Sequence, residues 1–360
     1  MVETVRPVWK RTRGRLQRLP VRFQQLHDRY HRVFWTLHSI WALFWGAAVL
    51  VLAHNRHGYL PWVVLFLGLT WATTLFFSRF GAASFSPVWR FARAFVSYLT
   101  RVWYQGTLFF LLPFYFYSTT FPSWNCVFIA ALAILAVLSC FDLLFDRLLR
   151  RYRVFAVAFF AVVTFSALQL LIPLVLRLRL ELTTFLAAAV SLVAALPLAY
   201  GWRDLVRPRR LARVALAFVL VMAGTWVLRP LLPPVPLRLS KVRFAARFDT
   251  TTLHGSPEYT GAIPAAELRE GRLFAVATVQ SPVPLRTRIV MRFISAGRVA
   301  SSTREVEITA HELGFRVWGV LQAGAASFPA GTYTAELRTA GGQLIGRERV
   351  QIVPEPTPPK

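Results

Sequence analysis

Lysine is almost missing from this chain: only Lys10, Lys241 and Lys360 stand among 42 basic residues. That skew runs from end to end, so it marks a bias towards arginine and not a recognition device. Cysteine is nearly as scarce, with Cys126 and Cys140 in one apolar stretch. On a helix fourteen residues separate them by about 21 Å, which is beyond disulfide reach. The last third of the chain has no cysteine at all and must hold together without disulfides. Short chemical signatures are lacking too. There is no Gly-x-Gly-x-x-Gly, no Gly-x-x-x-x-Gly-Lys, no His-Glu-x-x-His and no Gly-x-Ser-x-Gly. No paired-cysteine metal motif occurs either, so no cofactor and no metal is expected.

What is present in excess is apolar sequence. At 56% hydrophobic and a mean hydropathy of +0.48, the chain is too apolar for an ordinary soluble protein. A crossing of the hydrocarbon core takes about twenty apolar residues. Candidates lie at 34–53, 60–78, 102–120, 124–145, 154–176, 182–200 and 211–229. The segment 79–101 carries Arg90, Arg93 and Arg101 roughly on one helical face, which suits a helix lying in the interface. Val51-Leu52-Ala53 offers small residues for a signal cleavage site, but the basic region before it is long, and an uncleaved first helix is expected.

Arginine alternates across these stretches. The N-terminal segment (Arg6 to Arg32) and the connections at 79–101, 143–153 and 203–213 are rich in it. The connections at 54–59, 119–123 and 177–181 hold only Arg56, Arg177 and Arg179. Short basic loops stay cytoplasmic, so the N-terminus is expected inside and, after seven crossings, the C-terminus outside. The net charge of +26 is then accounted for by topology and by anionic headgroups. Membrane lipids are the expected partners, and nucleic acid is not.

Beyond Arg229 come Pro230, Pro233, Pro234 and Pro236, and the periodicity changes. In Lys241–Asp249, Val242, Phe244, Ala246 and Phe248 alternate with Lys241, Arg243 and Arg247, the pattern of a half-buried strand. Similar segments recur at 272–280, 286–294, 299–308, 313–320, 331–338 and 343–353, and 250–265 reads as a long loop or strand crossover. The candidate core is Trp318, Phe315, Phe293, Tyr333 and Leu337. The expected fold is therefore a polytopic α-helical membrane bundle of about seven transmembrane helices, followed by an all-β extracytoplasmic sandwich of immunoglobulin-like size. Its parts are a basic segment at 1–33, helices at 34–229, a Pro-rich linker at 230–237, the sandwich at 238–354 and a disordered tail at 355–360.

Gly314-Phe315-Arg316-Val317-Trp318, then Pro329-Ala330-Gly331-Thr332-Tyr333, then Gly341-Gly342-Gln343-Leu344-Ile345-Gly346-Arg347 form a series of motifs. They resemble the bacterial domain of unknown function 2914. Tyr333 stands where that family usually has tryptophan, and Gly341 replaces its usual aspartate. The resemblance implies a cell-envelope protein, expected in a bacterial inner membrane, and no mechanism.

Candidate site residues are few. Asp142 and Asp146, four apart, share a helical face near the basic end of the fourth crossing. Buried carboxylates in a membrane are costly and often functional, but Arg147, Arg150 and Arg151 offer ion pairs. His38 lies in the first crossing, where histidine serves as a proton relay or as a hydrogen-bonding cap. Arg286, Arg288 and Arg292 alternate on one strand and would share a face, either solvated or set against an envelope protein or anionic polymer. The reading this favours is an integral membrane envelope protein presenting its outer sandwich for binding, sensing or scaffolding. The alternative is a transporter or lipid-handling membrane enzyme with its site among the helices near Asp142.

Overall fold

The computed structural model describes residues 87–176, 178–200, 207–268, 270–281, 285–311, 313–323 and 328–354, with 37, 40, 41, 43–48, 65, 68, 69 and 72 before them. His38, the segment 1–33 and most of 34–53 and 60–78 lie outside the described residues.

Six helices have defined ends among these residues: α1 Pro87–Tyr117, α2 Cys126–Cys140, α3 Asp142–Arg151, α4 Arg153–Leu176, α5 Leu180–Ala199 and α6 Pro208–Val227. Among the described residues three stretches are long and apolar enough to cross a membrane: Arg153–Pro173, Leu180–Ala199 and Pro208–Val227. This corrects the expectation of about seven. Two of the differences have a visible cause. The expected interfacial segment and the third crossing are, from Pro87 onward, one helix that keeps Arg90, Arg93 and Arg101 within it. The expected fourth crossing breaks at Phe141, whose φ of −88° and ψ of 78° leave the helical region. The 15 residues of α2 then span only about 22 Å, short of a hydrocarbon core.

Helices α4 and α5 form an antiparallel hairpin. Arg153 Nε, at the start of α4, donates to the carbonyl of Leu198 near the end of α5 at 3.2 Å. The turn of this hairpin and the 118–125 loop between α1 and α2 both face the sheets, since Arg179 pairs with Glu307 at 3.4 Å and Asn125 Nδ2 donates to Leu344 O at 3.2 Å. Pro208 opens α6 where a missing N–H costs nothing, and the helix runs towards the same end. Leu108, Leu111, Tyr115, Leu132, Phe145, Phe160 and Leu170 are buried between α1, α2, α3 and α4. Tyr115 Oη lies 3.0 Å from Ser166 O and 3.1 Å from Gln169 Oε1 and donates into this pair.

The strands are β1 Arg238–Asp249, β2 His254–Tyr259, β3 Gly261–Pro264, β4 Arg272–Gln280, β5 Leu285–Ser295, β6 Arg298–Ser302, β7 Val306–Ala310, β8 Phe315–Gln322, β9 Gly331–Thr339 and β10 Leu344–Val353. One sheet runs β2-β1-β4-β8 and the other β3-β10-β9-β5-β6, with β7 also paired to β5. The two sheets share a core in which Phe244, Leu273 and Val317 meet Ile289, Phe293 and Leu337. The stretch 250–265 holds β2 in one sheet and β3 in the other, so the chain changes sheets within it. Residues 299–308 divide into β6 and β7, because Thr303 turns inward between them: its N–H donates to Met291 O at 2.9 Å and its hydroxyl accepts from Met291 N at 3.0 Å.

Phe293, Tyr333 and Leu337 are buried as expected, and Phe315 packs half-buried against them. Trp318 is not in the core. Val317, Gly319 and Leu321 are the inward residues of β8, and strict alternation puts Trp318 on the opposite face, 38% exposed. There it lies 5.0 Å from Phe248 and 6.4 Å from Phe274, ring centre to ring centre.

Candidate functional site

Two places on the molecule gather polar and aromatic groups. The first is the seam between helices and sheets, where each part enters the other. Leu180, the first residue of α5, is fully buried in the core of the sheets. Val235, just before β1, is fully buried in the core of the helices. The proline-rich stretch is buried throughout from Leu232 to Leu237.

Polar bonds hold this seam. Thr120 Oγ1 donates to Ile345 O at 3.2 Å, and Gln343 Nε2 to Leu232 O at 3.2 Å. Arg347 donates to Pro122 O. Thr287 Oγ1 sits 3.5 Å from Glu181 Oε1. At the centre Arg229 is 8% exposed, its guanidinium carbon 4.4 Å from the Phe185 ring centre and 4.2 Å from that of Trp226. Loss of water pulls Arg229 below the ordinary guanidinium range, and the negative charge of Glu181 pulls it back up. A guanidinium there stays charged at any physiological pH. Gly341 lies against this group, where a Cβ would be in ordinary contact, 3.5 Å from Arg229 Nη1 and from Glu181 Cγ.

The second place is a groove of about 730 Å³ beside β8. One wall is β8 itself, seen edge-on, with Phe315, Val317 and Gly319 from its inner face and Arg316, Trp318 and Val320 from its outer face. The other wall is Ala300 to Arg304 together with Val306. Gly319 is required here: a Cβ would come within 2.8 Å of Met291 Sδ and 2.9 Å of Thr303 Cγ2. At the rim Arg316 Nη1 lies 3.2 Å from the ring nitrogens of His254. The turn that places His254 is tied by Asp249, which accepts from Thr251 N and Thr252 Oγ1 at 2.8 Å each. These bonds hold the Asp249 carboxyl below the usual carboxylate value.

The sequence-derived site residues are placed unevenly. Asp142 opens α3 and Asp146 lies one turn on, and their side chains fall outside what the structure describes. Gln105, two helices away, donates to Cys140 Sγ at 3.4 Å, just before Asp142. Arg286, Arg288 and Arg292 all point outward on β5. Arg288 pairs with Glu305 at 3.7 Å, and Arg292 stands opposite Glu336, which pairs with Arg338 at 2.9 Å. Among the described residues no group of three His, Cys, Asp or Glu could hold a metal. The seam residues Leu180, Arg229, Val235 and Gln343 escaped the sequence reading as site residues. Only Arg229, a lone cation on the arginine-poor side and directly before Pro230, carries a local signal. With hydroxyls, guanidinium groups, aromatic faces and an open strand edge, the arrangement is equipped to bind.

The chain matches the family of unknown function DUF5924 over residues 16–275 and belongs to that family. The match runs through all six described helices and into β4, so it takes in the helices, the helix side of the seam and the first strands. It replaces the resemblance to domain 2914, which rested on residues further on. No curated protein matches the chain. Among solved structures, the alkylpurine DNA glycosylase AlkC of Pseudomonas fluorescens, bound to DNA containing an abasic site analog, aligns at 10% identity over 82% of this chain and 98% of that one. Its TM-score of 0.22 is too low to carry an argument about fold or partner. The partners expected from sequence are corrected here. The expectation of lipids without nucleic acid has no support in these comparisons. In the arginine row meant for a polymer or an envelope protein, Arg288 is paired with Glu305 and Arg292 stands opposite Glu336, and no comparison points to lipids.

Proposed function

We propose that this member of the family is an integral membrane protein of the bacterial inner membrane whose helices hold the paired sheets on the extracytoplasmic side, where they bind or sense. The observation that carries the reading is helix α6. It has no buried residue, and Leu216, Val219, Leu220 and Trp226 are each about 60% exposed. A helix apolar on every side is suited to hydrocarbon and ill suited to water. Arginine placement supports the orientation. Arg147, Arg150, Arg151 and Arg153 and then Arg207, Arg209, Arg210 and Arg213 belong to the end of the helices away from the sheets. The end facing the sheets has Arg179 in an ion pair and Arg229 against two rings.

The interlocked seam argues for sensing over passive display. A change in the sheets that moves β5 or the β9–β10 hairpin moves Thr287, Gln343 or Ile345, and each is bonded to a helix-side residue. The test is labelling by a membrane-impermeant maleimide in spheroplasts. Val299→Cys on β6 is expected to react from outside, and Leu144→Cys on α3 only after lysis; the reverse pattern would discard the orientation. The native Cys126 and Cys140 are replaced by serine and alanine beforehand.

A further inference from the structure

The two sheets expose four sets of strand edges, and one of them is unlike the others. A bare edge is a template for another strand, and proteins blunt such edges by shortness, proline or charge. Edge strand β2 has six residues and contains Pro257. Edge strand β3 has four and ends at Pro264. Strands β6 and β7, five residues each, share the third edge and are split by the inward turn at Thr303. Strand β8 has eight residues, Phe-Arg-Val-Trp-Gly-Val-Leu-Gln, with neither proline nor lysine. On one side it pairs with β4 along its whole length. On the other, no backbone bond is made by Phe315 to Gln322 among the described residues. That open side faces the 730 Å³ groove.

We infer that the β8 edge is a strand-addition site that takes an extended acidic segment of a partner protein. In this mode backbone hydrogen bonds supply affinity and pockets for alternate side chains supply selectivity. The groove is built for both. Eight residues give about 26 Å of edge. Trp318 and Val320 line the groove from the outer face of β8, where the side chains of an incoming strand that fall on that face would meet them. Charge decides the sign of the occupant. Arg304 and Arg316 are the charged residues lining the groove, and no lining residue is acidic. A second copy of the chain pairing edge to edge would bring two more arginines and no acid to the same groove, which like-charge repulsion opposes. The inference rests on the reading that the sheets are the binding part of the molecule, and it is independent of which side of the membrane they face.

The experiment uses the full chain in detergent and a fluorescein-labelled (Glu-Val)4 peptide, read by anisotropy. The acidic peptide is expected to bind at least about tenfold more tightly than (Lys-Val)4. Methylating the backbone nitrogens on alternate residues removes the donors facing β8 and is expected to cost about tenfold or more. In the doubly substituted Arg304→Glu, Arg316→Glu chain the preference reverses in favour of the lysine peptide. Both positions are exposed, so folding is retained. Equal affinity for the methylated peptide, or an unchanged preference in the charge-reversed chain, overturns the inference. So does efficient disulfide cross-linking of Val320→Cys chains to one another in membranes, which would put a second copy on the edge. Peptide binding together with failed maleimide labelling at Val299 would sink the membrane orientation and leave the groove standing.

Discussion

The helices and the sheets are built from similarly apolar residues, yet they treat their surfaces in opposite ways. In the sheets, inward and outward residues differ in kind. Along β5 the buried Leu285, Ile289, Met291 and Phe293 alternate with the exposed Arg286, Arg288 and Arg292. In the helices the exposed residues are as apolar as the buried ones: Val154 is 82% exposed, Ile134 66% and Val175 66%, beside a core of leucine and phenylalanine. The sheets separate oil from water residue by residue, as an aqueous domain does. The helices make no such distinction, as suits a part whose solvent is itself apolar.

The largest break in this comparison should come from the core of the sheets. Phe293→Ala, at a fully buried site, is expected to cost about 3–5 kcal/mol and to abolish cooperative unfolding of the strands, followed by circular dichroism. Next comes charge at equal exposure. Val219→Asp on α6, 61% exposed, is expected to cost about 2.5–3.5 kcal/mol in an insertion assay. Thr332→Asp on β9, also exposed, should fall within about 0.5 kcal/mol of wild type. If α6 accepts aspartate as readily as β9 does, the contrast between the two surfaces collapses.

Smaller effects sharpen the seam and the surface. Arg229→Met, which strips Glu181 of its nearby cation and the two rings of theirs, is expected to lower stability by about 2 kcal/mol; Arg229→Lys should recover part of it in the same denaturation series. Arg288→Ala removes an exposed ion pair with Glu305 and should cost no more than about 0.5–1 kcal/mol. The smallest effect is at Asp249. Its carboxyl is depressed by hydrogen bonds, so its contribution is complete above the ordinary carboxylate value and fades as pH falls through the lowered one. Amide exchange at Thr251 should quicken on acidification in the wild type and be independent of pH through that window, once intrinsic rates are removed, in Asp249→Asn.

Most of the strands were legible because period two survives in single residues. Val242, Phe244 and Ala246 face in, while Lys241 and Arg243 face away from the core. Where that reading failed, it failed in phase. Trp318 is the largest residue of its segment and draws the eye inward, but Gly319 is the inward position, because Thr303 occupies the space that a larger side chain would need. The helices were less legible, since hydropathy gives the same answer for a span, a buried helix and a helix that breaks halfway. Nothing in Cys126 to Phe145 announces the break at Phe141. The groove was hidden for a different reason: an unpaired edge is a property of what lies beside a strand, and a strand's own sequence does not contain it. The seam was hidden for the same reason, because Leu180 looks like any other leucine of an apolar run.

Leu180 also sets a condition on how the chain can be made and cut. It leaves the ribosome well before the strands it will sit among, so the sheets close around a side chain that is already in place. A fragment beginning at Arg238 would be born with a vacancy of leucine size in its core and a bare face where Gln343, Leu344 and Ile345 meet the helix-side residues. Vacancies of that size cost cores about 2.7–5 kcal/mol, a large share of what an isolated domain has to spare. The strands of this protein are therefore a lodger of its helices, and a truncated soluble piece would report on the eviction more than on the resident.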